Sequence, residues 1–182
     1  GQLAALTNST PAGLVSGFAY DHDLVGSRTA MRVQVGQEDP VAWFYEYDSL
    51  GQLTRAQKTA QGEVLAGRDY GYAYDSIGNR LWTSRGGGSV APELPAPGVV
   101  FSEYSANLLN QYTSRTVPAA AEISGTGRVD AVLSFQNLET GERIRAARNG
   151  TWFHADMPLA DNSAGSVTNR IRATGVLPGQ GS

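Results

Sequence analysis

The chain has 182 residues, of which 22 are glycine and 8 proline; 41% are hydrophobic, 17% are charged, and the net charge is −3. That balance is too apolar for a disordered tail and too broken by glycine for a long helical rod. With 14 basic residues against 17 acidic ones there is no electrostatic footprint for nucleic acid, and with no cysteine there is no disulfide framework, thiolate zinc site or cysteine nucleophile.

No apolar run approaches the roughly 18 residues that span a bilayer, so no membrane span is expected in this segment. The opening Gly1-Gln2-Leu3 lacks a methionine and reads as part of something longer. In chain order three segments then stand out: Tyr20-Asp21 followed by Gly26, Tyr47-Asp48-Ser49-Leu50-Gly51, and Tyr74-Asp75-Ser76-Ile77-Gly78. Their tyrosines are spaced 27 residues apart both times, which marks an internal repeat. Gln52-Leu53 follows one copy and Asn79-Arg80-Leu81 another, and Gly1-Gln2-Leu3 matches the same ending, as if a repeat cut at its turn starts the chain.

The repeat encodes a β-hairpin. Val41, Trp43, Tyr45 and Tyr47 alternate onto one face, as do Arg68, Tyr70, Tyr72 and Tyr74. An aspartate three residues before a glycine suits a type I turn, with Asp48 accepting backbone N–H groups and Gly51 taking the left-handed conformation. Leu53 and Leu81 are expected to open the return strands. Four residues rather than two separate Asp21 from Gly26, while Asp23-Leu24-Val25-Gly26 restores the turn spacing, so a bulged or enlarged loop is expected there. A lone hairpin is marginal in water, so successive hairpins must pair edge to edge, with tyrosines stacking between them. Unpaired strands at both ends predict that the isolated chain associates.

Residues 85–98, with Gly86-Gly87-Gly88, Pro92, Pro95 and Pro97, form a loop insertion; no Gly-Lys-Ser/Thr follows the glycines, so no phosphate loop is expected. Val99 to Tyr104 resumes a strand. A variant hairpin follows in Tyr104-Ser105-Ala106-Asn107-Leu108-Leu109-Asn110-Gln111-Tyr112, with Asn110 near the glycine position. After Pro118 tyrosine disappears. Ala119 to Ala121 reads as a linker or a short helical turn. Val129 to Phe135 reads as a strand, Glu139-Thr140-Gly141-Glu142 as a hairpin turn, and Arg143 to Arg148 as the return strand. Asn149-Gly150 forms a tight turn into Thr151-Trp152-Phe153, Asp161 to Gly165 a further turn, and Ser166 to Val176 a last strand. The fold class is thus all-β: antiparallel hairpins over 1–116, then a small antiparallel β-sandwich-like domain over 117–182.

Chemistry is sparse. His22 lies between aspartates in a turn, and His154 is expected on a solvent face or edge, opposite Phe153; neither has a metal-ligand spacing. Asp156, Asp161 and Asn162 lack the closing glutamate of a calcium loop. No serine elbow is present, and Asp21 and Asp23 flank a turn rather than a cleft. Catalytic residues, cofactors and metals are therefore none. Trp43, Trp82 and the tyrosines are expected to pack into the sheet, while Trp152 and Phe153 are the candidate ligand-binding pair. Arg143, Arg145 and Arg148 form a basic cluster beside Glu139 and Glu142 and are expected to ion-pair at the surface. Asn8-Ser9-Thr10 and Asn149-Gly150-Thr151 match the glycosylation acceptor, a pattern short enough to arise by chance.

The Tyr-Asp-x-x-Gly motif of Tyr47 to Leu53 and Tyr74 to Leu81, with the departing copy from Tyr20 to Gly26 and the variant at Tyr104 to Tyr112, resembles the YD repeat of the Rhs family of bacterial surface and toxin-delivery proteins. The resemblance covers residues 1–116; the later turns and the Trp-Phe pair resemble, weakly, an insert of some Rhs-like proteins. It implies a spiral β-shell, secreted or displayed at the cell surface, that encloses a C-terminal effector. The partners implied are the remaining repeats of the same polypeptide and that effector. A surface glycan or protein receptor is the alternative partner, bound by the second domain.

Overall fold

The computed structural model describes residues 1–86, 99–159 and 168–179. The fold is all-β with antiparallel sheets, and the chain divides into two compact units, residues 1–116 and 117–182.

The first unit is one nine-stranded sheet. Its strands are β1 (Ala5–Thr10), β2 (Gly13–His22), β3 (Arg28–Val35), β4 (Val41–Tyr47), β5 (Leu53–Ala60), β6 (Glu63–Tyr74), β7 (Arg80–Arg85), β8 (Val100–Ala106) and β9 (Tyr112–Arg115). Each strand is hydrogen-bonded to its neighbour in the chain, without a crossover. Aromatic and β-branched residues fill the strands, and glycine, asparagine and aspartate fill the turns, so local preference and pairing agree. Between β5 and β6 a two-residue turn places both Gln61 (φ 53°) and Gly62 (φ 84°) in the left-handed region, the conformation that matches strand twist. Gln61 is held there by a 2.9 Å bond from its Nε2 to Asp39 Oδ2. Apart from Leu65, the buried residues of this unit are small, among them Ala30, Ala56, Ser84 and Ser102, each flanked by larger side chains.

The second unit holds two three-stranded sheets, ordered β10-β14-β13 and β12-β11-β15. The strands are β10 (Ala120–Thr126), β11 (Val132–Asn137), β12 (Arg143–Arg145), β13 (Ala147–Asn149), β14 (Trp152–Pro158) and β15 (Ile171–Val176). Phe135 from one sheet meets Ala155 and Met157 from the other, with Ile123, Ile144, Ala146 and Phe153 around them. Asn137 is fully buried and anchors one end of this core. Its Nδ2 donates to Asn169 Oδ1 at 2.9 Å, and its Oδ1 accepts the Glu139 amide at 3.0 Å.

Several expectations for this region are corrected. Ala120 and Ala121 belong to a strand, because β14 supplies a pairing edge that outweighs alanine's indifference to β structure. The strand expected from Val129 begins at Val132; Val129 sits in a turn and is exposed. Arg143 to Arg148 is two strands, since β12 pairs with β11 while β13 pairs with β14. Ala146, between them, donates its amide to Leu133, so the chain switches sheets there. Most of the 85–98 insertion, and the turn at Asp161 to Gly165 with the start of the last expected strand, lie outside the described residues.

Candidate functional site

Four hairpin turns lie on the β2–β3, β4–β5, β6–β7 and β8–β9 connections, and they share one geometry. In each, a carboxylate or amide oxygen at the first position accepts two backbone N–H groups. Asp23 Oδ1 takes those of Val25 and Ser27 at 3.0 and 2.8 Å; Asp48 Oδ1 takes Leu50 and Gln52, both at 2.9 Å. Asp75 Oδ1 takes Ile77 and Asn79 at 3.0 and 2.8 Å, and Asn107 Oδ1 takes Leu109 and Gln111 at 2.9 and 3.1 Å. The fourth residue of each turn has positive φ: Gly26 99°, Gly51 78°, Gly78 91° and Asn110 59°. Each also closes with a bond from its own amide to the first residue's carbonyl. Asparagine serves at Asn107 and Asn110 because its amide oxygen accepts like a carboxylate and its side chain tolerates the left-handed region.

This geometry corrects the reading of the first hairpin. Its loop is no larger than the others, and Asp23, not Asp21, occupies the turn position. Tyr20 and Asp21 lie within β2, where Asp21 Oδ2 accepts from Arg32 at 2.7 Å. Counting from the turn residue, the tyrosine present in every hairpin stands three places earlier, at Tyr20, Tyr45, Tyr72 and Tyr104. These four face Met31, Ala56, Thr83 and Arg115 across their hairpins. The place just before the turn holds His22, Tyr47, Tyr74 and Ala106, and each hairpin carries a register shift there. Opposite that place stand Arg28, Leu53, Arg80 and Tyr112. Leu81 is therefore one residue beyond the position of Leu53, and it is exposed. The common Asp/Asn-x-x-Gly/Asn spacing was the signal that locates Asp23 and Asn107.

The tyrosines engage cations and one another. The Arg28 guanidinium lies 4.5 Å from the Tyr20 ring centre, and Arg80 lies 5.5 Å from Tyr72 and 5.7 Å from Tyr104. Trp43 stacks on Tyr70 at 6.0 Å, although β5 runs between their strands, because Ala56 leaves room. Tyr104 and Tyr112 are 5.6 Å apart. Burial raises the Tyr72 phenol above its ordinary pKa. At Tyr104 burial pushes upward, but hydrogen bonds from Thr83 and Arg80 and the charges of Arg115 and Arg80 outweigh it, so the phenol titrates below its ordinary value. Asp75 is held below the usual carboxylate range, first by the Asn79 side-chain amide and then by the turn's backbone N–H groups.

An open pocket of about 490 Å³ lies between the third and fourth turns, lined by Asp75, Asn79, Arg80, Tyr104, Asn107 and Asn110 among others. Its polar groups are largely engaged with each other: Asn79 Nδ2 donates to Asp75 at 2.8 Å and approaches Asn110 Oδ1 at 3.4 Å.

In the second unit Phe153 is half-buried and packs against the core at Phe135, ring centres 5.8 Å apart. Trp152 is half-buried on the other side of β14. His154 is buried, at 5% exposure, and not on a solvent face. Its Nε2 lies 2.8 Å from Asp156 Oδ2 and its Nδ1 3.8 Å from Glu122 Oε1, so both ring nitrogens face carboxylates. Among the described residues no group of three or more His, Cys, Asp or Glu gathers to hold a metal ion, and no helix is long and apolar enough to cross a membrane. Scanned against protein-family models and searched against curated proteins, the chain matches none.

Proposed function

We propose that this chain is a non-enzymatic wall segment of a YD-repeat, Rhs-like β-shell that encloses or presents a C-terminal effector outside a bacterial cell. The observation that supports the reading is the fourfold recurrence of one turn geometry on one rim of an uninterrupted nine-stranded meander. A sheet built from interchangeable hairpins extends by adding hairpins, and a right-handed twist repeated at every strand makes a long one coil. Tyrosine–arginine and aromatic contacts between hairpins stiffen such a wall. The second unit is read as a structural insert and not as a glycan or protein receptor site, because Phe153, half of the expected binding pair, is committed to its core.

The natural polypeptide that carries this sequence, purified whole and imaged by single-particle electron microscopy, is expected to form a hollow particle whose C-terminal portion resists protease. A particle without a lumen, or a C-terminal portion cleaved as readily as in a denatured control, would sink the reading.

A further inference from the structure

Each of the four turns carries a branched aliphatic residue at its third position: Val25, Leu50, Ile77 and Leu109, at 89%, 70%, 66% and 77% exposure. Leu24 and Leu108, at the second position, are fully exposed. Nothing in the turn geometry asks for them. The hydrogen bonds come from the first residue's side chain and from backbone groups, and the positive φ falls on the fourth residue. Turn tips normally carry polar residues, so four aliphatics at one turn position need a cause outside the turn.

The row is regular. Successive tips are two strands apart, which at the usual strand spacing is roughly 10 Å. The turn carboxylates do not interrupt it, since Asp23, Asp48 and Asp75 fold back onto their own backbone amides. We propose that this rim is a contact surface for a second copy of the same chain, paired rim to rim about a two-fold axis. This inference stands apart from the shell reading. A partner with the same period, displaced by one strand, sets its tips into the gaps of the first row, whereas a flat apolar surface meets only the tips. Both copies carry the same strand twist, so the two rims curve alike. Covering six such side chains removes on the order of 600 Å² of apolar surface per copy, approaching the ~800 Å² per partner of a specific interface. A two-fold axis makes the same patch serve both copies.

Sedimentation velocity over a range of concentrations tests this, using the chain and two multiple variants. The rim variant, Leu50→Ser with Ile77→Ser and Leu109→Ser, changes exposed turn residues only, and circular dichroism checks that its sheet is retained. The edge variant, Thr7→Lys with Ser114→Lys, places charges on the outermost strands β1 and β9. The expected result is a dimer that weakens at least tenfold in the rim variant and persists in the edge variant. Should the rim variant lose its sheet signal, Leu50→Ser alone is expected to weaken the dimer while keeping the fold. A monomeric parent chain, including one that instead floats with phosphatidylcholine vesicles, overturns the proposal. So does association that survives the rim substitutions, or Leu50→Ser in that fallback, without weakening.

Discussion

The Tyr47 hydroxyl donates to the main-chain oxygen of Arg28 at 2.8 Å, joining the last residue of β4 to the first residue of β3. In the last hairpin the relationship is mirrored, with the Arg80 amide donating to the Tyr112 hydroxyl at 2.8 Å. These phenols tie one hairpin to the one before it, beyond the ladder bonds.

Tyr47→Phe removes that tie and no volume. It is expected to cost about 1 kcal/mol in urea unfolding, the usual net worth of one such bond. Tyr45→Phe is the control, because the Tyr45 hydroxyl makes no hydrogen bond within the described residues. Its unfolding midpoint should stay close to that of the parent. Equal losses in both variants would show that the Arg28 bond contributes nothing of its own.

The Asp75 turn predicts an acid limb. The carboxyl of Asp75 is lowered from 3.8 in the folded chain, so the ionised form's contribution is complete above that ordinary value. It is lost as pH falls through the lower, folded value. Asp75→Asn imitates the Asn107 turn and has no charge to lose. The variant should unfold in urea near the parent midpoint at neutral pH and lose less stability than the parent on moving to about pH 3. An identical acid loss in both proteins would assign the limb to other carboxylates.

Gly51→Ala isolates backbone conformation, because a Cβ there meets nothing within 4 Å while φ is +78°. The expected cost is about 1 kcal/mol, the left-handed penalty of a residue with a side chain. Asn110→Gly, at φ 59°, should move stability the other way by a few tenths of that. Thermal melts of the two variants check both signs.

Phe153 and Trp152 separate packing from recognition. Phe153→Ala should destabilise the second unit by about 2–4 kcal/mol through the cavity it leaves against Phe135, with a visibly smaller loss for Trp152→Ala. Gly125→Ala should also destabilise, because its Cβ would fall 3.0 Å from the Phe153 ring. Calorimetry that found Phe153→Ala as stable as the parent would return Phe153 to the role of a ligand platform.

Much of the sheet was legible because its hairpins are specified locally. Asp48 and Gly51 state the turn in four residues, and the alternation from Val41 to Tyr47 states the strand. The first hairpin misled because Tyr20-Asp21 repeats the dipeptide of the later turns two residues too early; the spacing of Asp23 and Gly26 already fits the turn, and the Asp23 hydrogen bonds show that the loop is not enlarged. The second unit was less legible for a different reason. Ala120 and Ala121 have no strand preference of their own, and Arg143 to Arg148 looks like one strand although its halves serve two sheets. His154 alternates correctly with Phe153, but alternation says nothing about burial of the second face. The Ala120–Ala121 strand and the burial of His154 depend on the pairing of β10 with β14, across about 30 to 38 residues of chain, and the split of Arg143 to Arg148 depends on two neighbours in different sheets, β11 and β14.

The strictly sequential order of β1 to β9 makes length an adjustable quantity in this protein. A hairpin added or deleted at a turn gives new neighbours only to the two strands beside the change and keeps the antiparallel order of the rest, so copy number can vary without a new topology. The same order decides how the sheet yields to force. A pull on its two ends loads the outermost strands first, β1 and β9, each of which has a single partner in the sheet.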